Sequence, residues 1–184
     1  MTQLPTPYRQ QIHQTKYSRW QEDIGRREFW PETVRRYIDF FRGRVDLPET
    51  LWKQLEDAIT NHEIVPSMRA LMTAGPALEK DEVAGYNCSY LTLSRPEAFS
   101  EMVYLLMCGV GVGYSVEAHQ VQKLPVVPDV MEMSDEIIVV ADSKYGWSDA
   151  VKRLIKSLYT GKVPGWDLSG IRPAGAPLKT FGGR

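Results

Sequence analysis

Cysteine is scarce. Cys88 and Cys108 are the two in 184 residues, too few for the disulfide framework of a small secreted domain. Neither has another Cys or a His at the short spacings that zinc uses, so no metal site is expected and each is weighed as a thiol. No apolar run approaches the roughly 18–20 residues that cross a bilayer. The start, Met1-Thr2-Gln3-Leu4-Pro5, lacks the basic stretch and apolar core of a secretory signal. A cytoplasmic protein without membrane contact is the expectation. Charge of one sign is missing as well: 22 basic and 23 acidic residues leave a net charge of −1, with no electrostatic footprint for a nucleic-acid backbone. Histidine is limited to His13, His62 and His119. None has partners at metal-ligand or triad spacing, and each is expected to be solvated.

What is present is enough for one core, since 43% of the residues are apolar. Residues 1–28 are polar, rich in Gln and Arg, and read as an irregular arm. Pro31-Glu32-Thr33 opens a helix over 31–42 whose Val34, Tyr37, Ile38 and Phe41 share one face. A second helix begins at Pro48-Glu49-Thr50, with Leu51, Leu55, Ala58 and Ile59 at the same spacing and Trp52 widening the face. Beyond Pro66 the pattern changes. Residues 87–93 alternate in polarity and favour a strand. Ser94-Arg95-Pro96-Glu97 starts a helix that is apolar almost all round and is expected to be buried. The Gly109-Val110-Gly111-Val112-Gly113 run leads into a second strand ending in Tyr114-Ser115-Val116, completing a strand–helix–strand unit of the kind that builds parallel sheets. Ile137 to Ala141 reads as a buried strand and 147–159 as a helix with Val151, Leu154, Ile155 and Leu158 inward. From 161 onward the density of Gly and Pro reads as loop. The fold class is therefore α/β.

Four features could carry chemistry. Asn87-Cys88-Ser89 stands at the mouth of a strand, where a thiol could donate a proton, exchange electrons or fill space; burial statistics for an isolated strand cysteine favour packing. The glycine run either makes a tight helix-to-strand turn or lets backbone N–H groups approach a ligand. It is no P-loop, because no Gly-Lys-Ser/Thr follows, and no dinucleotide fingerprint, because the glycines follow a helix and precede a strand. Cys108 ends an apolar helix and is read as a packing residue. Asp142-Ser143-Lys144 lies where a strand hands over to a helix, in position to cap it or to meet an anion.

Taken together, Tyr17-Ser18-Arg19-Trp20, Gly25-Arg26-Arg27-Glu28, Pro66-Ser67-Met68-Arg69-Ala70-Leu71-Met72-Thr73-Ala74-Gly75, Tyr86-Asn87-Cys88-Ser89-Tyr90, Gly109 to Glu117 and Ile171 to Arg184 occur in the order found in ribonucleotide reductases. The chain resembles the N-terminal portion of the monomeric, adenosylcobalamin-dependent ribonucleoside-triphosphate reductases. That resemblance implies a helical N-terminal region over 1–65. It is followed over 66–184 by the first strands and helices of a ten-stranded α/β barrel, left incomplete, with 118–170 an insertion of the monomeric type. It implies that Cys88 is one of a redox pair, that Gly111 gives the substrate a backbone contact, and that Asn87 and Ser67 lie at the substrate site. The cofactor implied is adenosylcobalamin, bound mostly by sequence outside this chain, and a dNTP or ATP effector is implied for the 118–170 segment. Partners implied are a ribonucleoside triphosphate, a thioredoxin-type reductant and a complementary C-terminal reductase segment, with neither nucleic acid nor membrane among them.

The residues Leu178 to Arg184 are glycine-rich and uncapped, and read as a cut inside a functional loop. The expectation is an N-terminal fragment, inactive in reduction until the remainder is supplied. Two alternatives compete with it. One is a catalytically silent nucleotide-binding or assembly module. The other is a fragment of a metal-radical reductase, against which stand the long 118–170 segment and the absence of a regulatory domain before residue 15.

Overall fold

The computed structural model describes residues 4–176. The backbone divides into two compact units, one reaching Tyr86 and the other beginning at Asn87.

The first unit is mainly helical. Helix α1 (Pro7–Ile12) is capped by Thr6, whose hydroxyl accepts from the Arg9 N–H, and runs into a π-helical turn over His13–Tyr17. Strands β1 (Trp20–Gln21) and β2 (Arg26–Arg27) then pair as an antiparallel hairpin. The polar arm is thus ordered, contrary to the irregular structure expected for 1–28. Its order comes from a buried carboxylate rather than an apolar face. Glu28 is 5% exposed, and its oxygens accept from Arg36 Nε at 2.8 Å, Thr33 Oγ1 at 2.8 Å and the Arg19 N–H at 3.1 Å. Arg36 also donates to the carbonyls of Ala74, Tyr17 and Leu71. One charged pair therefore ties the hairpin to two helices.

Helix α2 (Trp30–Arg42) begins where the Glu32 carboxylate accepts from the Phe29 N–H at 2.6 Å. The two-pronged contact from Arg26, at 2.7 and 2.8 Å, holds that carboxyl down to about 2. Helix α3 (Glu49–Thr60) packs on α2, with Val34, Ile38, Trp52 and Ile59 buried between them and Tyr37, Phe41 and Leu55 at the margin. The expected faces are borne out except at Leu51, which is exposed while Trp52 turns inward. Helices α4 (Met68–Thr73) and α5 (Pro76–Lys80) and a 3-10 turn (Glu82–Gly85) complete the unit around Ala74, Leu78 and Ala84.

The second unit holds two parallel strand–helix–strand motifs. In the first, β3 (Cys88–Thr92), α6 (Glu97–Met107) and β4 (Gly111–Ser115) pair in the register Cys88 with Gly111 through Thr92 with Ser115. A short helix α7 (Ala118–Val121) follows. In the second, β5 (Glu132–Val139), α8 (Lys144–Leu158) and β6 (Lys162–Asp167) repeat the plan. The helices meet: Ser148 Oγ donates to the Ser100 carbonyl at 2.8 Å, and the rings of Tyr104 and Tyr145 lie 4.9 Å apart. Among the described residues each sheet has two strands, and no barrel closes.

Three expectations need correction here. Helix α6 is not buried all round: it buries Ala98 and Ser100, while Leu106 and Met107 are exposed. Strand β5 starts earlier than expected and is half-buried, with Ile138 and Val140 inward beside Ala150 and Ile137 and Val139 exposed. The stretch after 161 is not all loop, because β6 occupies Lys162–Asp167 despite Pro164 and Gly165. The register explains the proline. Pairing jumps from Met133 with Val163 to Ile137 with Gly165, so Pro164 falls at the irregularity, where its missing N–H costs no ladder bond. At the same irregularity Glu136 accepts from Arg153 at 2.9 Å and Ser157 at 3.2 Å, anchoring the strand to α8.

Candidate active site

Cys88 is the first residue of β3, and its thiol is free and exposed. The packing role that burial statistics favour is overturned. Opposite it stands Gly111, whose N–H donates to the Asn87 carbonyl at 2.9 Å. A Cβ on Gly111 would lie 3.5 Å from that carbonyl and 4.0 Å from Cys88 Sγ, so the backbone beside the thiol is bare. The Asn87 main chain thus joins the sheet, and Asn87, Cys88 and Gly111 come together at one strand mouth.

The glycine run divides its labour. Gly109 has φ +83° and makes the turn from α6, which only glycine adopts without strain. Gly111 and Gly113 lie in β4, outside the left-handed region. The tight-turn reading of the run holds at Gly109, while the Gly111 N–H is taken up by the Asn87 carbonyl.

Ser67 belongs to the first unit, as the N-cap of α4; its hydroxyl accepts from the Ala70 N–H at 3.3 Å. Cys108 is 2% exposed and in no disulfide, and Lys144 Nζ donates to its sulfur at 3.2 Å. Ser143 caps α8 by accepting from the Gly146 N–H at 2.9 Å, and Asp142 pairs with Arg172 at 2.8 Å. Leu178 to Arg184, read from the sequence as a cut functional loop, lie outside the described residues.

The histidines divide too. His119 is exposed, and His62 stacks on Trp30 at 4.8 Å. His13, expected to be solvated, is 4% exposed, with Nε2 2.9 Å from Thr33 Oγ1. Because the Thr33 hydroxyl gives its proton to Glu28, it must accept from His13, which assigns the proton to Nε2. Burial pushes the His13 pKa below its ordinary value; Glu28 opposes that shift and Arg36 adds to it. This relay was not legible in the sequence, since its members have no shared period.

No family model matches the chain. A putative adenosylcobalamin-dependent ribonucleoside-triphosphate reductase of Mycobacterium phage D29 is 29% identical over 94% of this chain and 29% of its own length. The chain is a relative of the adenosylcobalamin-dependent ribonucleoside-triphosphate reductases. The Lactobacillus leichmannii and Levilactobacillus brevis reductases of that name are 27% and 24% identical, each over 91% of this chain and 32% of its own length. A crystal structure of a B-12-dependent class II ribonucleotide reductase superposes with a TM-score of 0.76 at 22% identity, covering 94% of this chain and 34% of that one. The chain spans about a third of the length of the reductases it matches. The mixed α/β fold expected from the sequence is that of the N-terminal third of the class II reductase. No described helix is long and apolar enough to cross a membrane.

Proposed function

We propose that this chain is the N-terminal part of an adenosylcobalamin-dependent ribonucleoside-triphosphate reductase, supplying one redox cysteine and part of the substrate site. The observation that carries the proposal is the exposed Cys88 thiol beside bare Gly111 backbone at the mouth of a parallel pair. In this scheme residues 1–65 form the helical region, 66–184 the first part of the barrel, and 118–170 the inserted segment. A dNTP or ATP effector belongs to that inserted segment.

The chemistry assigns a limited task to this chain. A thiyl radical on a cysteine outside it removes the ribose 3′ hydrogen and later returns it. Cys88 and a second thiol, also outside this chain, each supply one hydrogen. The C2′–O bond breaks, the hydroxyl leaves as water, C2′ gains a hydrogen and the two sulfurs join as a disulfide. A thioredoxin-type dithiol reopens that disulfide. Gly111 and Asn87 hold the ribose against Cys88, and Ser67 binds the substrate through its hydroxyl. Adenosylcobalamin would supply the radical-forming chemistry from a site outside this chain. The Cys88 face carries no imidazole and no charged donor that would hold it, so its site is assigned to the complementary segment.

The test is complementation. Mixing this chain with a complementary C-terminal reductase chain, adenosylcobalamin, a ribonucleoside triphosphate and a dithiol is expected to yield deoxynucleotide. Cys88→Ser is expected to abolish turnover while leaving the circular dichroism spectrum unchanged. A serine variant that turns over normally would remove Cys88 from the mechanism.

A further inference from the structure

Alternation along β3 puts Tyr90 on the same face as Cys88, and the register sets it opposite Gly113. Tyr90 is 65% exposed, and its hydroxyl bonds to no other described residue. The inward residues Ser89 and Leu91 are at least partly covered, so packing does not account for an aromatic ring at this place. Gly113 is equally unexplained by the chain itself. It does not lie in the left-handed region, and an added Cβ would meet the Tyr90 ring at 3.6 Å and the Ser89 carbonyl at 3.8 Å, ordinary contact distances. Glycine inside a strand weakens it and often marks a surface that something else approaches closely. The result is a floor of bare backbone from Gly111 to Gly113, with the thiol at one end and an aromatic ring about 6.6 Å further along. Neither strand contains a charged residue.

Resting on the nucleotide site proposed above, we propose that Tyr90 is a substrate-contacting residue that receives the uncharged, ring-bearing part of the ribonucleotide and not its phosphates. A phosphate would need a cation or converging N–H donors, and this face offers neither beyond the strand backbone. A ribose or base ring suits it: the aromatic face stacks on an apolar ring surface, and the phenol donates to a ring or hydroxyl oxygen.

The test measures alkylation of Cys88 by iodoacetamide in this chain, followed by mass spectrometry. Adenosine, cytidine or inorganic triphosphate is added as a protecting probe to the wild type, Tyr90→Phe and Tyr90→Ala. Both nucleosides are expected to slow alkylation in the wild type and in Tyr90→Phe. In Tyr90→Ala the nucleoside concentration giving half-protection should rise about fivefold or more. Inorganic triphosphate should protect in none of them. Unaltered melting temperatures confirm that exposed Tyr90 can be replaced without loss of the fold. Equal protection in Tyr90→Ala, or protection by triphosphate alone, overturns the role of Tyr90 while leaving the site standing. No protection of the wild type by any probe overturns the nucleotide site itself, and Tyr90 with it.

Discussion

A buried histidine with a stated proton position makes stability depend on pH in a defined direction. His13 is neutral in the fold because burial disfavours its charge, so its folded-state pKa lies below the ordinary 6.5. The unfolded chain then binds more protons than the folded one between those two values. Stability is complete above about pH 6.5 and declines as pH falls below it, until the folded-state value is reached. His62 is shifted the same way, chiefly by its own burial. Urea midpoints measured from pH 7.5 to 5.5 are therefore expected to fall with pH. His13→Gln should flatten that slope in part, leaving the His62 share. A slope unchanged in the glutamine variant would mean that burial does not hold His13 neutral.

At the level of elements, the glycines show how much of the fold the sequence makes legible. The first strand–helix–strand motif was readable because alternation, a Ser-x-Pro-Glu start and a glycine stop agree with one another. Strand β6 was not, because its evidence is a pairing with β5 some thirty residues away and not a local pattern. The same limit hid the Glu28 network and the exposure of Cys88. Gly146 is a further case. It sits in the first turn of α8, where a Cβ would fall inside the Ala141 carbonyl and within 2.8 Å of the Ala141 Cβ. Its neighbour is backbone and cannot swing aside. Gly146→Ala is expected to destabilise the second unit by about 1–3 kcal/mol, despite alanine's better helix propensity. Gly113→Ala, with room to spare, should instead leave stability unchanged or raise it by about 0.4–1 kcal/mol. Thermal unfolding of the two variants measures both; similar destabilisation by each would mean that contact at Gly146 is not what sets glycine there.

For the whole molecule, the balance between covered and uncovered surface decides what this chain does by itself. Strands β3 and β4 pair only with each other among the described residues, which leaves unpaired N–H and C=O groups on both outer edges. Beside them Tyr90 and Tyr114 are exposed, as are Ile137 and Val139 on β5. Open edges and exposed apolar side chains favour association with another chain. The helical unit has a core of its own in Val34, Ile38, Trp52 and Ile59, so folding does not wait on a partner everywhere. If the complementary reductase segment proposed above adds strands beside β3 or β4, it pairs the edge groups, and its side chains on the Cys88 face shield the thiol. A complementary C-terminal chain is then expected to raise the melting temperature of the second unit by several degrees, as mass action requires of any ligand that binds only the folded state. It should also slow alkylation of Cys88 without changing that of buried Cys108. Hydrogen exchange gives the decisive readout, because strand addition protects the outer-edge amides of β3 and β4 while docking elsewhere leaves them exchanging as before. A complex that forms yet leaves both the edge amides and Cys88 as reactive as in the free chain would show that the partner covers some other surface.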